Sequence, residues 1–230
     1  MTASDAGVRV GEGVPPGALS PHAPAYRAFV FDFDGVILDT AWAKTDAFRT
    51  VASRYGEEYG VLMAEYHRTA GSIGRRARWE HFFAHILELD PEPGEVDEMC
   101  RAVGRLVRLG TLVAQEVPGV LDYIDAVAPF GVHLVSGIEE EELRDLVSRR
   151  GFGRQFLRVR GGDKHRILRQ MVQEGDIPLP AVYFGDTPDD EHAARAAGMD
   201  FVFVAGCSEF TVADFPEGTA VIEDFREVLA

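Results

Sequence analysis

Asp32 and Asp34 stand one residue apart in Asp32-Phe33-Asp34-Gly35, directly behind the apolar run of residues 29–31. A short apolar run of this kind predicts a buried strand, most often one in a parallel sheet. Two carboxylates then arrive together at the carboxyl end of a strand, where open α/β sheets hold their ligands. One residue separates the two acids, and they are expected to have different tasks. Such a pair suits a carboxylate nucleophile beside a general acid, both next to a divalent cation. Gly35 lets the backbone turn sharply against a bound group. The plainer alternative is a strand that merely ends in acids at a turn.

Three further positions share this placement. Ser136-Gly137 follows the apolar residues 132–135, and a hydroxyl next to an unobstructed backbone N–H can hold phosphate oxygens. The serine would serve equally as the N-cap of a helix opening near Glu139. Lys164 opens a helix after Gly161-Gly162-Asp163, an end that repels cations, so it is either solvated or reserved for an anion. Gly185-Asp186-Thr187-Pro188-Asp189-Asp190 delivers further acids from another apolar strand. Carboxylates there suit Mg²⁺, although Asp186 could be a capping residue and Asp190 and Glu191 simple first-turn acids. The four positions occur in order, each where a doubly wound sheet gathers its site.

The elements that must carry them alternate. From residue 120 onward, helices at 120–128, 139–150, 164–174 and 190–197 interleave with strands at 132–135, 156–159, 181–184 and 201–204. That pattern predicts an α/β fold, a doubly wound parallel sheet. Residues 42–112 instead show helical spacing at 41–55, 79–89 and 96–109, broken at Gly71-Ser72-Ile73-Gly74 and at Asp90-Pro91-Glu92-Pro93-Gly94. They form an inserted all-helical cap domain. The core is then 26–41 with 113–230. Residues 1–25, rich in Gly, Pro, Ala and Ser, are expected to be a disordered leader without the features of a secretory signal.

The net charge of −15 argues against nucleic acid or an anionic membrane surface as partner. No apolar run approaches the ~18 residues of a membrane span. The two cysteines, Cys100 and Cys207, have no metal-binding spacing and fit packing roles in a reducing cytoplasm.

Taken in order, Asp32-x-Asp34-Gly-Val-x-x-Asp39-Thr40, Ser136, Lys164 and Gly185-Asp186-x-x-x-Asp190 resemble the haloacid dehalogenase superfamily of phosphotransferases. The helical insert after the first strand is similar to that of its phosphoglycolate phosphatase and β-phosphoglucomutase group. The resemblance implies a Rossmann-like core and a Mg²⁺-dependent phosphatase of a small phosphomonoester, a sugar, polyol or related metabolite phosphate. It implies Asp32 as nucleophile, Asp34 as acid and base, and Ser136, the Gly137 N–H and Lys164 as phosphate contacts. It implies a metal held by Asp32, the carbonyl of Asp34 and Asp186, with Asp190 orienting the metal or its waters. Asp34 separates the chain from the phosphonate, dehalogenase and ATPase branches, which lack an acid there. The loop before Lys164 is shorter than the Gly-Ser-Pro-type loop of the group.

Thr40 and Lys44 are candidate substrate or hinge contacts, and Arg75 is a candidate substrate contact because a guanidinium suits an anionic or polyhydroxylated leaving group. Arg76 and Arg78 share its stretch, where a solvated helix start is the plainer reading. Trp79, Phe82, Phe83 and Ile86 are expected in the cap's core, and His81 and His85 lack a third ligand for a metal. The resemblance also admits a sugar phosphomutase, against which the sequence after Ser136, Gly-Ile-Glu, lacks the Ser-x-Asn pattern. A non-catalytic binding module is the remaining alternative. A monomer or a homodimer fits equally.

Overall fold

The computed structural model describes residues 14, 17–22, 25–71 and 73–229. The chain divides into two compact units, Met1–Asp39 with Gln115–Ala230, and Thr40–Ala114. Each boundary of the insert lies two residues outside the expected one.

The first unit is built on a six-stranded sheet in which each neighbouring pair of strands runs parallel. Its strands are β1 (Ala28–Phe31), β2 (Val132–Ser136), β3 (Arg158–Gly161), β4 (Ala181–Gly185), β5 (Asp200–Val204) and β6 (Ala220–Ile222), in the order β3-β2-β1-β4-β5-β6. This is the doubly wound order whose reversal point lies between β1 and β4. Helices α5 (Val120–Val127), α6 (Glu140–Arg150), α7 (Lys164–Glu174), α8 (Pro188–Ala196) and α9 (Arg226–Leu229) connect or follow the strands. β6 was not expected from its short sequence.

Alternation along β1 decides what each face packs. Phe29 and Phe31 join Tyr123, Phe184 and Phe225 in an aromatic layer, with Phe31 and Phe184 stacked at 5.0 Å between ring centroids. Ala28 and Val30 face the other way, onto a layer containing Ile167, Leu168 and Met171 of α7 and Ala193 and Ala194 of α8. Asp32 continues that second series, so it is directed to the side covered by α7 and α8.

Part of the expected leader is ordered. Ala18 and Leu19 are buried, and the Leu19 carbonyl accepts a 2.8 Å hydrogen bond from the Tyr123 hydroxyl. Tyr123 is fully buried and needs that acceptor, which explains why a Gly- and Pro-rich stretch is held there. Residues 1–13 lie outside the described residues.

The second unit is helical: α1 (Ala41–Ala52), α2 (Glu57–Thr69), α3 (Arg75–His81) and α4 (Glu95–Val113), with a π-helical stretch at Phe82–Leu87 prolonging α3. Phe48, Val51, Met63, Trp79, Phe82, Phe83, Met99 and Val103 form its core, as expected for the aromatic residues of α3. Arg78 is buried rather than solvated. It donates to the carbonyls of Gly71, at 2.5 Å, and Ile73, and its guanidinium lies 5.7 Å from the Phe48 ring centroid. Arg76, by contrast, is exposed and pairs with Asp97 and Glu80. Among the described residues no helix is long and apolar enough to cross a membrane.

Candidate active site

Four strand ends and helix starts of the first unit carry the candidate residues. Asp32 and Asp34 leave β1, Ser136 closes β2, Lys164 is the first residue of α7, and Asp186 follows β4. β1 pairs with both β2 and β4, so Asp32 and the Ser136 and Asp186 turns leave neighbouring strands. All five side chains are buried.

The α7 turn explains the inward lysine. Asp163 is the N-cap and accepts from the Arg166 N–H at 3.0 Å, which starts the helix with Lys164 as its first residue. The Lys164 ammonium donates to Asp32 Oδ2 at 2.8 Å and to Asp190 Oδ1 at 2.5 Å. Burial by itself would lower the lysine's pKa. The carboxylates of Asp190 and Asp32 outweigh it and hold the group charged, above its ordinary value. Lys164 is therefore neither solvated nor a neutral base.

Asp190 is set by a capping box at the start of α8. The Thr187 hydroxyl and N–H both bond to Asp190 Oδ2, at 2.6 and 3.2 Å, and Pro188 occupies the first turn. Asp190 Oδ1 takes Lys164 and also the Tyr183 hydroxyl at 3.0 Å. Tyr183 is buried between that carboxylate and the Val135 carbonyl, also 3.0 Å away. Burial first, then the charges of Asp190 and Asp32, raise its pKa well above the ordinary tyrosine value, so it stays a phenol.

Carboxylate oxygens of Asp32, Asp186 and Asp190 lie within 4.8 Å of one another. Buried acids packed so closely fit a hard divalent cation, which prefers oxygen donors. Both oxygens of Asp190 are engaged by four protein donors. Asp32 and Asp186 are the other carboxylates of the cluster, and Mg²⁺ sites often use one or two. The Asp34 side chain is not part of this cluster. Asp186 is fixed by close packing: a Cβ on Gly35, whose φ is +75°, would stand 2.2 Å from Asp186 Oδ2. A Cβ on Gly185 would likewise stand 2.4 Å from Asp190 Cβ. Glycine is required at both places for the acids to approach.

Ser136 is not the N-cap of α6. That helix opens at Glu140 after Glu139, while the Ser136 carbonyl receives the Gly162 N–H at 3.0 Å, tying β2 to the loop before Lys164. Gly137 is exposed beside it. Thr40, Lys44 and Arg75 belong to the helical unit: Thr40 is buried immediately before α1, Lys44 lies on α1, and Arg75 opens α3. No group of acids, cysteines and histidines suited to a metal includes His81 or His85 among the described residues. His81 stacks on Tyr66 instead, at 3.8 Å between centroids.

Tyr183, Thr187 and Ser208 went unrecognised in the sequence. Tyr183 carried a usable signal, since a hydroxyl in a strand buried on both faces must find an acceptor. Ser208 and Thr187 are common residue types whose roles depend on partners that no spacing reveals.

The fold and these residues define a doubly wound α/β enzyme with a carboxylate-centred site. The sequence pattern of the haloacid dehalogenase-like hydrolases matches residues 26–198, and the chain belongs to that family. It is 28% identical over 190 residues to the fructose-1-phosphate phosphatase YqaB of Escherichia coli (strain K12), covering 78% of this chain and 96% of that one. Among solved structures it resembles CbbY from Rhodobacter sphaeroides in complex with phosphate, with TM-score 0.66, 21% identity and 88% and 96% of the two chains covered. It also resembles a family IA, variant 3 hydrolase from Entamoeba histolytica, with TM-score 0.67, 16% identity and coverage of 87% and 94%. These two likenesses establish the fold.

Proposed function

We propose that this hydrolase is a Mg²⁺-dependent phosphatase of small phosphomonoesters, with sugar phosphates as the favoured class, working through an aspartyl phosphate on Asp32. The observation that carries the reading is the Lys164 ammonium at 2.8 Å from Asp32 Oδ2, in a buried site that also holds Asp186. A fixed cation beside a nucleophilic carboxylate suits charge that develops on phosphoryl oxygens. The 28% identity to a fructose-1-phosphate phosphatase supports the sugar class.

An Asp32 oxygen bonds to phosphorus as the bond from phosphorus to the ester oxygen breaks, and Asp34 gives that oxygen its proton. Asp34 then takes a proton from water as the water oxygen attacks phosphorus, releasing phosphate and restoring Asp32. Lys164, Ser136 and the Gly137 N–H hold the remaining phosphoryl oxygens. Asp32, the Asp34 carbonyl and Asp186 hold the cation, while Asp190 positions Lys164. When bound, the cation offsets the repulsion between a carboxylate and a phosphate dianion. Thr40, Lys44 and Arg75 are assigned to the leaving group. The two free thiols, Cys100 and Cys207, support a reducing, cytoplasmic setting.

The test is phosphate release with Mg²⁺ across sugar, polyol, cyclitol and nucleoside monophosphates and phosphoglycolate, comparing wild type with Asp32→Asn. Release by wild type that falls at least about 10³-fold in the variant is expected. The ranking of kcat/KM then names the leaving group. No release from any compound, or equal release by both proteins, would overturn the proposal.

A further inference from the structure

We infer that Ser208, in the loop after β5, is a positioning residue for the cation ligand Asp186; this rests on the metal-dependent reading above. The peptide unit between Asp186 and Thr187 is held at both ends. Its N–H, from Thr187, donates to Asp190 Oδ2 at 3.2 Å, and its carbonyl, from Asp186, accepts from the Ser208 hydroxyl at 2.6 Å. A peptide unit is planar, so fixing both its N–H and its C=O fixes the plane. The plane in turn sets ψ of Asp186, and with it the direction in which the carboxylate leaves the backbone.

The hydroxyl is itself oriented. Ser208 Oγ accepts from the Phe210 N–H at 2.9 Å, which leaves its single proton for the Asp186 carbonyl. Phe210 packs against the apolar layer under α7 and α8, so this acceptor geometry is anchored in the core. The loop is pinned at its start as well, where the Gly206 N–H donates to the Glu223 carbonyl at 3.0 Å. At the neighbouring Cys207 thiol, burial followed by the charge of Asp39, at the other end of the acidic β1 loop, pushes the pKa up to about 11. This loop therefore ties down the segment that delivers Asp186 to the site.

The Asp186 carboxylate has little room to find its place unaided. It lies over Gly35, where even a Cβ would stand 2.2 Å from Oδ2, so a rotation of its peptide moves the carboxylate against the β1 loop. Outer contacts that orient metal ligands are typically worth 10–100-fold in affinity. Ser208→Ala removes the carbonyl's clamp while leaving all the acids and Lys164 in place.

The experiment is Mn²⁺ binding to the full chain, followed by electron paramagnetic resonance without substrate, for wild type, Ser208→Ala, Ser208→Thr and Asp186→Ala. Far-UV circular dichroism confirms that each variant is folded. The expected result is a Kd raised about 10-fold or more in Ser208→Ala and restored to within about threefold of wild type by Ser208→Thr, which keeps the hydroxyl. A smaller change in Ser208→Ala, or no restoration by Ser208→Thr, overturns the inference. Unchanged Mn²⁺ binding in Asp186→Ala overturns the metal reading itself, so the two failures are distinguished.

Discussion

Among the described residues each unit buries one cation, and the two are held in opposite ways. Lys164 of the sheet unit meets carboxylates, Asp32 and Asp190, at 2.8 and 2.5 Å. Arg78 of the helical unit meets backbone carbonyls, Gly71 and Ile73, and the face of Phe48. Carbonyls and an aromatic face need a donor and nothing else, so Arg78 closes the Gly71–Gly74 break as a structural clamp. Carboxylates are charges in their own right, and gathering them in a protein interior costs free energy unless something opposes them. A fold retains such an arrangement where the charges have another use. The partner of a buried cation therefore tells more about its task than its burial does.

Lys164→Met breaks the first half of that comparison and carries the largest expected effect. Methionine keeps most of the side-chain volume but leaves Asp32 and Asp190 without the ammonium. Loss of a preorganised charge at a phosphoryl group is expected to lower kcat by about 10²–10³-fold. The same variant should lose roughly 3–5 kcal/mol of stability in EDTA, because two buried carboxylates lose their counter-charge. Steady-state kinetics on the best panel substrate and urea unfolding read the two effects. A Lys164→Met enzyme with wild-type kcat would mean that the ammonium serves only to balance the acids.

Arg78→Met breaks the second half and should affect stability alone. Two carbonyls lose a charged donor, for an expected cost of about 2–3 kcal/mol in urea unfolding. The kcat of the remaining folded enzyme should stay within about threefold of wild type. A large drop in kcat with unchanged stability would move Arg78 from clamp to site.

The same distinction explains what the sequence revealed. Asp32, Lys164 and Asp186 were legible because strand–helix alternation places them at predictable ends, where the doubly wound order must bring them together. The burial of Ala18 and Leu19 was not legible because composition reports chain stiffness and polarity, and cannot know that the buried Tyr123 hydroxyl takes Leu19 as its acceptor. Arg78 was misread for the same reason, since its acceptors are carbonyls, which every residue carries. Asp190 was placed correctly in the chain, but its use depends on Tyr183 and Thr187, and no spacing rule distinguishes a carboxylate already engaged by four donors from one that is not. Side chains that act through position in the sheet can be read from sequence; those that act through a backbone partner cannot.

The smallest expected effect concerns one histidine in each unit. His133, buried in β2, has its pKa lowered to about 4, by burial first and by Arg158 against the opposing pull of Asp176. His67, stacked on Phe48, has its pKa lowered to about 3, by burial and then by Arg78 and Lys44. Neither Nδ1 finds a hydrogen-bond partner among the described residues, so neither ring is prepared to carry a charge. In the unfolded chain both titrate near 6.5. Between that value and the folded pKa the unfolded state binds more protons, so stability is fully present above pH 6.5 and is lost as pH falls. The slope is at most about 1.4 kcal/mol per pH unit for each histidine. Urea midpoints at pH 7.5, 6.5 and 5.5 should decline for wild type and decline less for His133→Leu, which cannot bind a proton. An equal decline in both proteins would assign the acid sensitivity to groups other than the sheet histidine.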